Sequence, residues 1–205
     1  MTAIQSNIKG LILAGGQSSR MGVDKALFDY HGMPQYQYLN KLLHEFVEEV
    51  YISCRPEQKF EGDIPRIEDQ YEDIGPMAGV LSAFKKDSTC AWLAIACDLP
   101  YVDSATLTLL LTNRERSKEA TFFIDPETSF PEPLLTIYEP TLYPIMLKSL
   151  TAGQTSLNRI LLRCDSKRIK PPDIRIIRGA NTKEEAERIK KLLSWRNEIV
   201  RLALQ

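Results

Sequence analysis

Leu13-Ala14-Gly15-Gly16-Gln17-Ser18-Ser19-Arg20-Met21-Gly22-Val23-Asp24-Lys25 joins the end of an apolar segment to a glycine-rich turn and then to two cations. The segment entering it, Ile8–Ala14, is short and largely apolar with a single glycine, as a buried parallel strand is. Gly15, Gly16 and Gly22 permit backbone turns closed to residues with a Cβ, so that main-chain N–H groups can approach an anion. Arg20 offers a planar fork of donors and Lys25 a mobile point charge, a pair able to neutralise a triphosphate. Neither familiar phosphate motif fits. The P-loop needs Lys-Ser/Thr directly after its last glycine, and the dinucleotide fingerprint needs G-x-G-x-x-G.

Outward from this loop, strand-like and helix-like segments alternate through the first half, the pattern of parallel βαβ units. A helix is expected from about Gln35 to Phe46, with Tyr38, Leu39, Leu42, Leu43 and Phe46 inward and Lys41, His44 and Glu45 outward. Pro34 suits its first turn. Val50–Cys54 alternates as a strand, Pro65–Glu68 reads as a short strand, Met77–Lys86 as a helix and Ala91–Ala96 as a fully buried central strand. Asp103 or Ser104 can cap a helix running to Leu111. In the second half, Ala120–Ile124 and Leu134–Tyr138 read as strands bracketing a loop with Pro126, Pro131 and Pro133, a place for an antiparallel excursion. Short helices near Tyr143–Leu150 and Leu157–Leu162 lead to a strand expected around Ile174–Ile177. The last helix begins at Thr182, with Glu185 completing a capping box. Together these predict a three-layer α/β/α, Rossmann-like domain with a predominantly parallel sheet and one antiparallel strand.

At 205 residues, 43% hydrophobic and 26% charged, the chain is long enough to bury one substantial core, so a single domain is expected over its whole length. A formal charge of −1 gives no global basic field, so a nucleotide is favoured over nucleic acid and no membrane address is evident. Cys54, Cys90, Cys97 and Cys164 lack Cys-x-x-Cys spacing, and His31 and His44 have no partner at metal-binding spacing, which argues against a zinc site or a disulfide framework. No apolar run reaches the roughly 18 residues of a membrane span, and no secretory leader is seen, so the cytoplasm is expected. Trp92 reads as core and Trp195 as a helix-packing or oligomer residue.

The whole loop resembles the signature of the molybdenum cofactor guanylyltransferases, a family of Rossmann-like nucleotidyltransferases. The resemblance continues through Arg66-Ile67-Glu68-Asp69, Gly75-Pro76-Met77-Ala78-Gly79-Val80, Cys97-Asp98-Leu99-Pro100, and Asn181-Thr182 with Glu184 and Glu185. It implies an enzyme that moves GMP from Mg·GTP onto the phosphate of molybdenum-loaded molybdopterin and releases pyrophosphate. Leu13, Ala14, Gly15, Gly16, Lys25, Asp69, Gly79 and Asp98 then correspond to the nucleotide site, Asn181 to the pterin site, and Asp98 to the Mg²⁺ ligand. Lys25 and Arg20 would offset charge on the leaving pyrophosphate, and Glu68 and Asp73 would be bystanders. The implied partners are GTP, molybdopterin, and a protein that delivers or accepts the cofactor. Asp98 also follows the expected central strand, where the carboxyl ends of an α/β sheet face the ligand crevice.

The chain departs from the family pattern twice. Cys54 appears where members often carry an asparagine associated with base recognition, and a thiol cannot replace an amide's paired donor and acceptor. Gly179-Ala180-Asn181-Thr182 retains only the second asparagine of the family's Asn-x-Asn-Thr. The alternatives are cytidylyl transfer to the same pterin, nucleotidyl transfer to a sugar or alcohol phosphate, and a nucleotide-binding regulatory or assembly protein without turnover. Asp24-Lys25 leans towards guanylyl transfer.

Overall fold

In the computed structural model, which describes residues 7–16 and 24–203, the apolar segments of the first half become parallel strands separated by helices. Strands β1 (Ile8–Leu13), β2 (Val50–Cys54), β3 (Arg66–Glu68), β4 (Ala91–Ala96), β5 (Ala120–Ile124), β6 (Pro131–Tyr138) and β7 (Ser166–Ile169) form one sheet, ordered β3-β2-β1-β4-β6-β5-β7. Among the described residues β6 alone runs against its neighbours, pairing antiparallel with β4 and β5, while the other pairs are parallel. Central β4 is buried at every position, which is what its uninterrupted apolar run requires of a strand covered on both faces.

Side-chain alternation divides the core between the two faces of the sheet. Ile12, Ile52, Leu93 and Ile95 pack beneath α1 (Gln35–His44) and α3 (Ser104–Thr112), through Leu39, Leu43, Leu107 and Leu110. Leu11, Leu13, Trp92 and Ala94 face α2 (Met77–Lys86), α4 (Tyr143–Thr151) and α5 (Leu157–Arg163), through Val80, Phe84, Met146 and Leu161. The three layers are thus helices, sheet and helices. In α1 the inward and outward residues fall as the spacing predicts, with Lys41, His44 and Glu45 exposed. Asp103 caps α3 by accepting from Thr106 N at 2.9 Å. The capping box of α6 (Lys183–Ala203) forms in both directions: Thr182 Oγ1 accepts from Glu185 N, and Glu185 Oε2 from Thr182 N, each at 3.2 Å.

The second half departs from expectation in two places. Ile174–Ile177 is a 3₁₀ turn, not a strand: Asp173 accepts from Arg175 N at 2.9 Å and starts the turn directly after Pro171-Pro172. The seventh strand lies earlier, at Ser166–Ile169, where a polar sequence pairs with β5 at the sheet edge and buries only Ile169. Pro131 and Pro133 fall inside β6, which starts earlier than Leu134. Its pairing with β4 reaches only Leu135 opposite Ile95, so both prolines lie beyond that ladder, where no N–H towards β4 is needed. A buried fork of Arg114 Nε and Nη2 on the two Glu139 carboxylate oxygens, at 2.6 and 2.9 Å, ties the exit of α3 to the end of β6. Trp92 is fully buried as expected and donates Nε1–H to Asp87 O at 3.0 Å, whereas Trp195 is 65% exposed. All four cysteines are free and buried.

Candidate active site

The chain leaves β1 towards β2 and β3 on one side, then returns to place β4 and the rest on the other. That makes the β1–β4 boundary the switch point of the sheet, where α/β folds open a crevice at the carboxyl ends of the strands. The glycine loop leaves the end of β1 and Asp98 follows β4, so both signals reach this crevice. A cavity of about 760 Å³ opens there, lined among others by Leu13, Ala14, Gly15, Gly16, Lys25, Asp69, Gly79 and Asp98. Eight residues singled out from separate stretches of sequence therefore line one cavity. Arg20 and Gly22 fall outside the described residues.

Lys25 begins a short 3₁₀ turn, Lys25–Leu27, capped by Asp24, whose Oδ1 accepts from Ala26 N at 3.0 Å. From there the Lys25 ammonium donates to Asp98 Oδ2 at 3.2 Å and to Asn181 Oδ1 at 3.3 Å. Asn181 thus meets the site through Lys25. The segment preceding it backs Asp98: Ala180 N donates to Asp98 O at 2.9 Å, and a Cβ on Gly179 would lie 3.3 Å from that oxygen and 3.4 Å from the carboxylate. The Gly179 departure consequently sits directly against Asp98. Asp98 Oδ1 is buried and has no hydrogen-bond partner among the described residues. Glu132 lies in β6 three positions before Leu135, the last residue of that strand's ladder with β4. Burial pushes the Glu132 carboxyl up to about 7, and the negative charge of Asp98 adds to the shift.

At the other end of the cavity, Ser53 donates to Asp69 Oδ1 at 2.5 Å, and Asp69 N donates to Cys54 O at 3.0 Å. Burial pushes the Asp69 carboxyl up, while the Ser53 hydrogen bond and the Arg55 charge pull it back. A Cβ on Gly15 would strike the Asp69 carboxylate, and one on Gly79 would strike Ser53 Oγ and Leu13. With Gly15 the loop passes Asp69 without displacing its carboxylate, and with Gly79 α2 closes on Ser53 and Leu13 without displacing them. Cys54 takes no part in the cavity wall. It is fully buried, and its Sγ accepts from Arg66 Nε at 3.4 Å. Ser53, one residue earlier and on the opposite face of β2, holds the cavity position expected of Cys54. Asp73, read as a bystander, lines the cavity in a left-handed conformation with φ 56°, whereas Glu68 does not line it.

Several lining residues were not singled out from sequence, among them Ser53, Arg55 and Leu134, the last from the overhanging start of β6. For Ser53 and Arg55 the available signal was their place at the carboxyl end of β2. Leu134 offered none, because its role depends on an antiparallel register set far along the chain.

A glycine loop, a lysine and strand-end carboxylates around a switch-point crevice form a site suited to a nucleoside triphosphate. Residues 10–169 match the MobA-like NTP transferase domain. A molybdenum cofactor biosynthesis bifunctional protein from Synechocystis is 36% identical over 185 residues, 88% of this chain but 53% of that protein, so the chain spans about half of that relative. A molybdenum cofactor guanylyltransferase from Pseudomonas fluorescens is 29% identical over 167 residues, 80% of this chain and 83% of that one. The crystal structure of molybdopterin-guanine dinucleotide biosynthesis protein A from Archaeoglobus fulgidus superposes with a TM-score of 0.75 at 20% identity, covering 91% and 98% of the two chains, a likeness of fold. The chain belongs to the family of MobA-like NTP transferase domains and is a nucleotidyltransferase.

Proposed function

We propose that the chain transfers GMP from GTP to the phosphate of molybdenum-loaded molybdopterin, giving the guanine dinucleotide form of the cofactor and pyrophosphate. The observation that carries this reading is the Lys25–Asp98 pair at the switch-point crevice, beside Gly15 and Gly16. In the reaction an oxygen of the pterin phosphate attacks the α-phosphorus, and the bond from that phosphorus to the bridging oxygen breaks. The acceptor is already an anion and needs no general base. Gly15, Gly16 and Lys25 would hold the phosphates, with Lys25 opposing the charge that accumulates on the leaving pyrophosphate. Asp98 suits Mg²⁺: its Oδ1 is a hard acceptor with no hydrogen-bond partner among the described residues, and such an ion takes one or two carboxylates and draws its other ligands from phosphates and water. When bound, magnesium would supply further charge neutralisation. Asn181, which accepts from Lys25, would contact the acceptor.

Ser53 and Asp69 would take part in reading the base. A serine hydroxyl already committed to Asp69 offers less pairing than an amide, so discrimination between bases should be moderate. GTP is expected to bind more tightly than CTP by about 10–100-fold. Calorimetric titration with the two nucleotides checks this; equal affinities or a preference for CTP would move the reading to cytidylyl transfer. Net charge −1 supports small-molecule over nucleic-acid substrates, and no helix among the described residues is long and apolar enough to cross a membrane. We place the reaction in the cytoplasm, with a cofactor-delivering or cofactor-accepting protein as partner.

A further inference from the structure

The link between β2 and β3 holds the backbone of the glycine loop from behind. Arg55 Nη1 donates to Gly15 O at 3.0 Å and to Gly16 O at 3.2 Å. Gln58, only 7% exposed, donates Nε2–H to Ala14 O at 3.0 Å and to Asp24 Oδ2 at 2.8 Å, while its Oε1 accepts from Arg55 N at 2.9 Å. Three consecutive carbonyls, those of Ala14, Gly15 and Gly16, are thereby captured. Gln58 also joins the two ends of the loop, since Ala14 precedes it and Asp24 precedes Lys25.

A trans peptide points its C=O and the following N–H in opposite directions. Holding the Ala14 and Gly15 carbonyls towards Arg55 and Gln58 therefore turns the N–H groups of Gly15 and Gly16 the other way. This fixes donor directions that a glycine-rich segment would otherwise sample freely. The Gln58 amide is fully used in the arrangement, with both N–H donors and the carbonyl engaged, so a buried polar side chain is satisfied by the loop itself. Gln58 is not part of the cavity wall and has no direct path to a ligand.

We propose that Gln58, with Arg55, is a positioning residue that presets the phosphate loop: it orients the Gly15 and Gly16 amides and fixes the loop exit at Asp24, from which Lys25 reaches the phosphates. The inference rests on the nucleotide reading of the cavity and deepens it. Its consequence is selective for phosphate. Gln58→Met keeps the length and apolar stem but removes all three side-chain hydrogen bonds. Gln58→Glu keeps the acceptor for Arg55 N and sets a carboxylate oxygen against Ala14 O and Asp24.

The test measures binding of Mg·GTP, inorganic pyrophosphate and guanosine to the wild type, both Gln58 variants and Arg55→Lys. Arg55→Lys retains charge but loses the fork, and because Arg55 also lines the cavity it reports on the loop and on any direct phosphate contact together; Gln58→Glu, of nearly the same volume, reports even if Gln58→Met does not fold. Mg·GTP and pyrophosphate should bind about 10–100-fold more weakly to the variants, with guanosine affinity within about twofold of wild type. Equal weakening of all three ligands would make Gln58 and Arg55 merely structural, and unchanged pyrophosphate binding would remove them from the loop's organisation; either result overturns the inference. A wild type that binds neither Mg·GTP nor pyrophosphate would instead overturn the nucleotide reading beneath it.

Discussion

Lys25→Ala is expected to lower kcat/KM by roughly 10²–10³, the loss seen when a preorganised group facing transition-state charge is deleted. Stability should change far less. The Lys25–Asp98 pair is 3.2 Å long with side chains 22% and 21% exposed, and solvent screening leaves such a pair worth no more than about 1 kcal/mol. The predicted loss of activity corresponds to about 3–4 kcal/mol of transition-state stabilisation, so unfolding cannot account for it. Lys25→Arg should recover charge but only part of the rate, because a planar fork cannot occupy the compact position of an ammonium between Asp98 and Asn181. Melting temperature and single-turnover rate decide the matter together. An unchanged rate in Lys25→Ala would reduce the lysine to a tether between Asp98 and the segment ahead of α6.

Asp98→Asn should lower turnover by at least about 10², since a metal ion's charge is worth several kcal/mol to phosphoryl chemistry and the variant loses the charged ligand. The magnesium concentration for half-maximal turnover should rise in step. The fold should be retained: the side chains are nearly isosteric, the amide oxygen can still accept from Lys25, and the anchoring bond from Ala180 N uses the Asp98 backbone. Wild-type turnover with an unchanged magnesium requirement would remove Asp98 from the site.

These predictions bear on the part of the molecule most legible in its sequence. The glycine loop, the apolar run of β4 and Asp98 behind it are local patterns, and local patterns were enough to place them at one crevice once parallel topology was assumed. Caps on α3 and α6 were legible for the same reason: each uses residues three apart. Ser166–Ile169 escaped because an edge strand needs main-chain pairing more than an apolar run, and Ile174–Ile177 misled because β-branched residues there serve a turn capped by Asp173. Cys54 faces away from the cavity and Ser53 towards it, because one residue in a strand inverts the side chain's direction. The Lys25–Asn181 contact spans 156 positions, and the Gln58 amide joins Ala14 and Asp24 across a loop that gives no periodic signal. Contacts of that kind arise from topology.

Incubation of the protein with Mg²⁺, each of the four common nucleoside triphosphates and molybdenum-loaded molybdopterin, followed by mass analysis of the pterin products, addresses nucleotidyl transfer most directly. A product heavier by one GMP unit, formed with stoichiometric pyrophosphate and fastest with GTP, is the expected result. Intact pterin and no pyrophosphate release with any of the four, from folded protein that binds GTP, would contradict it and leave a nucleotide-binding protein without this transfer activity.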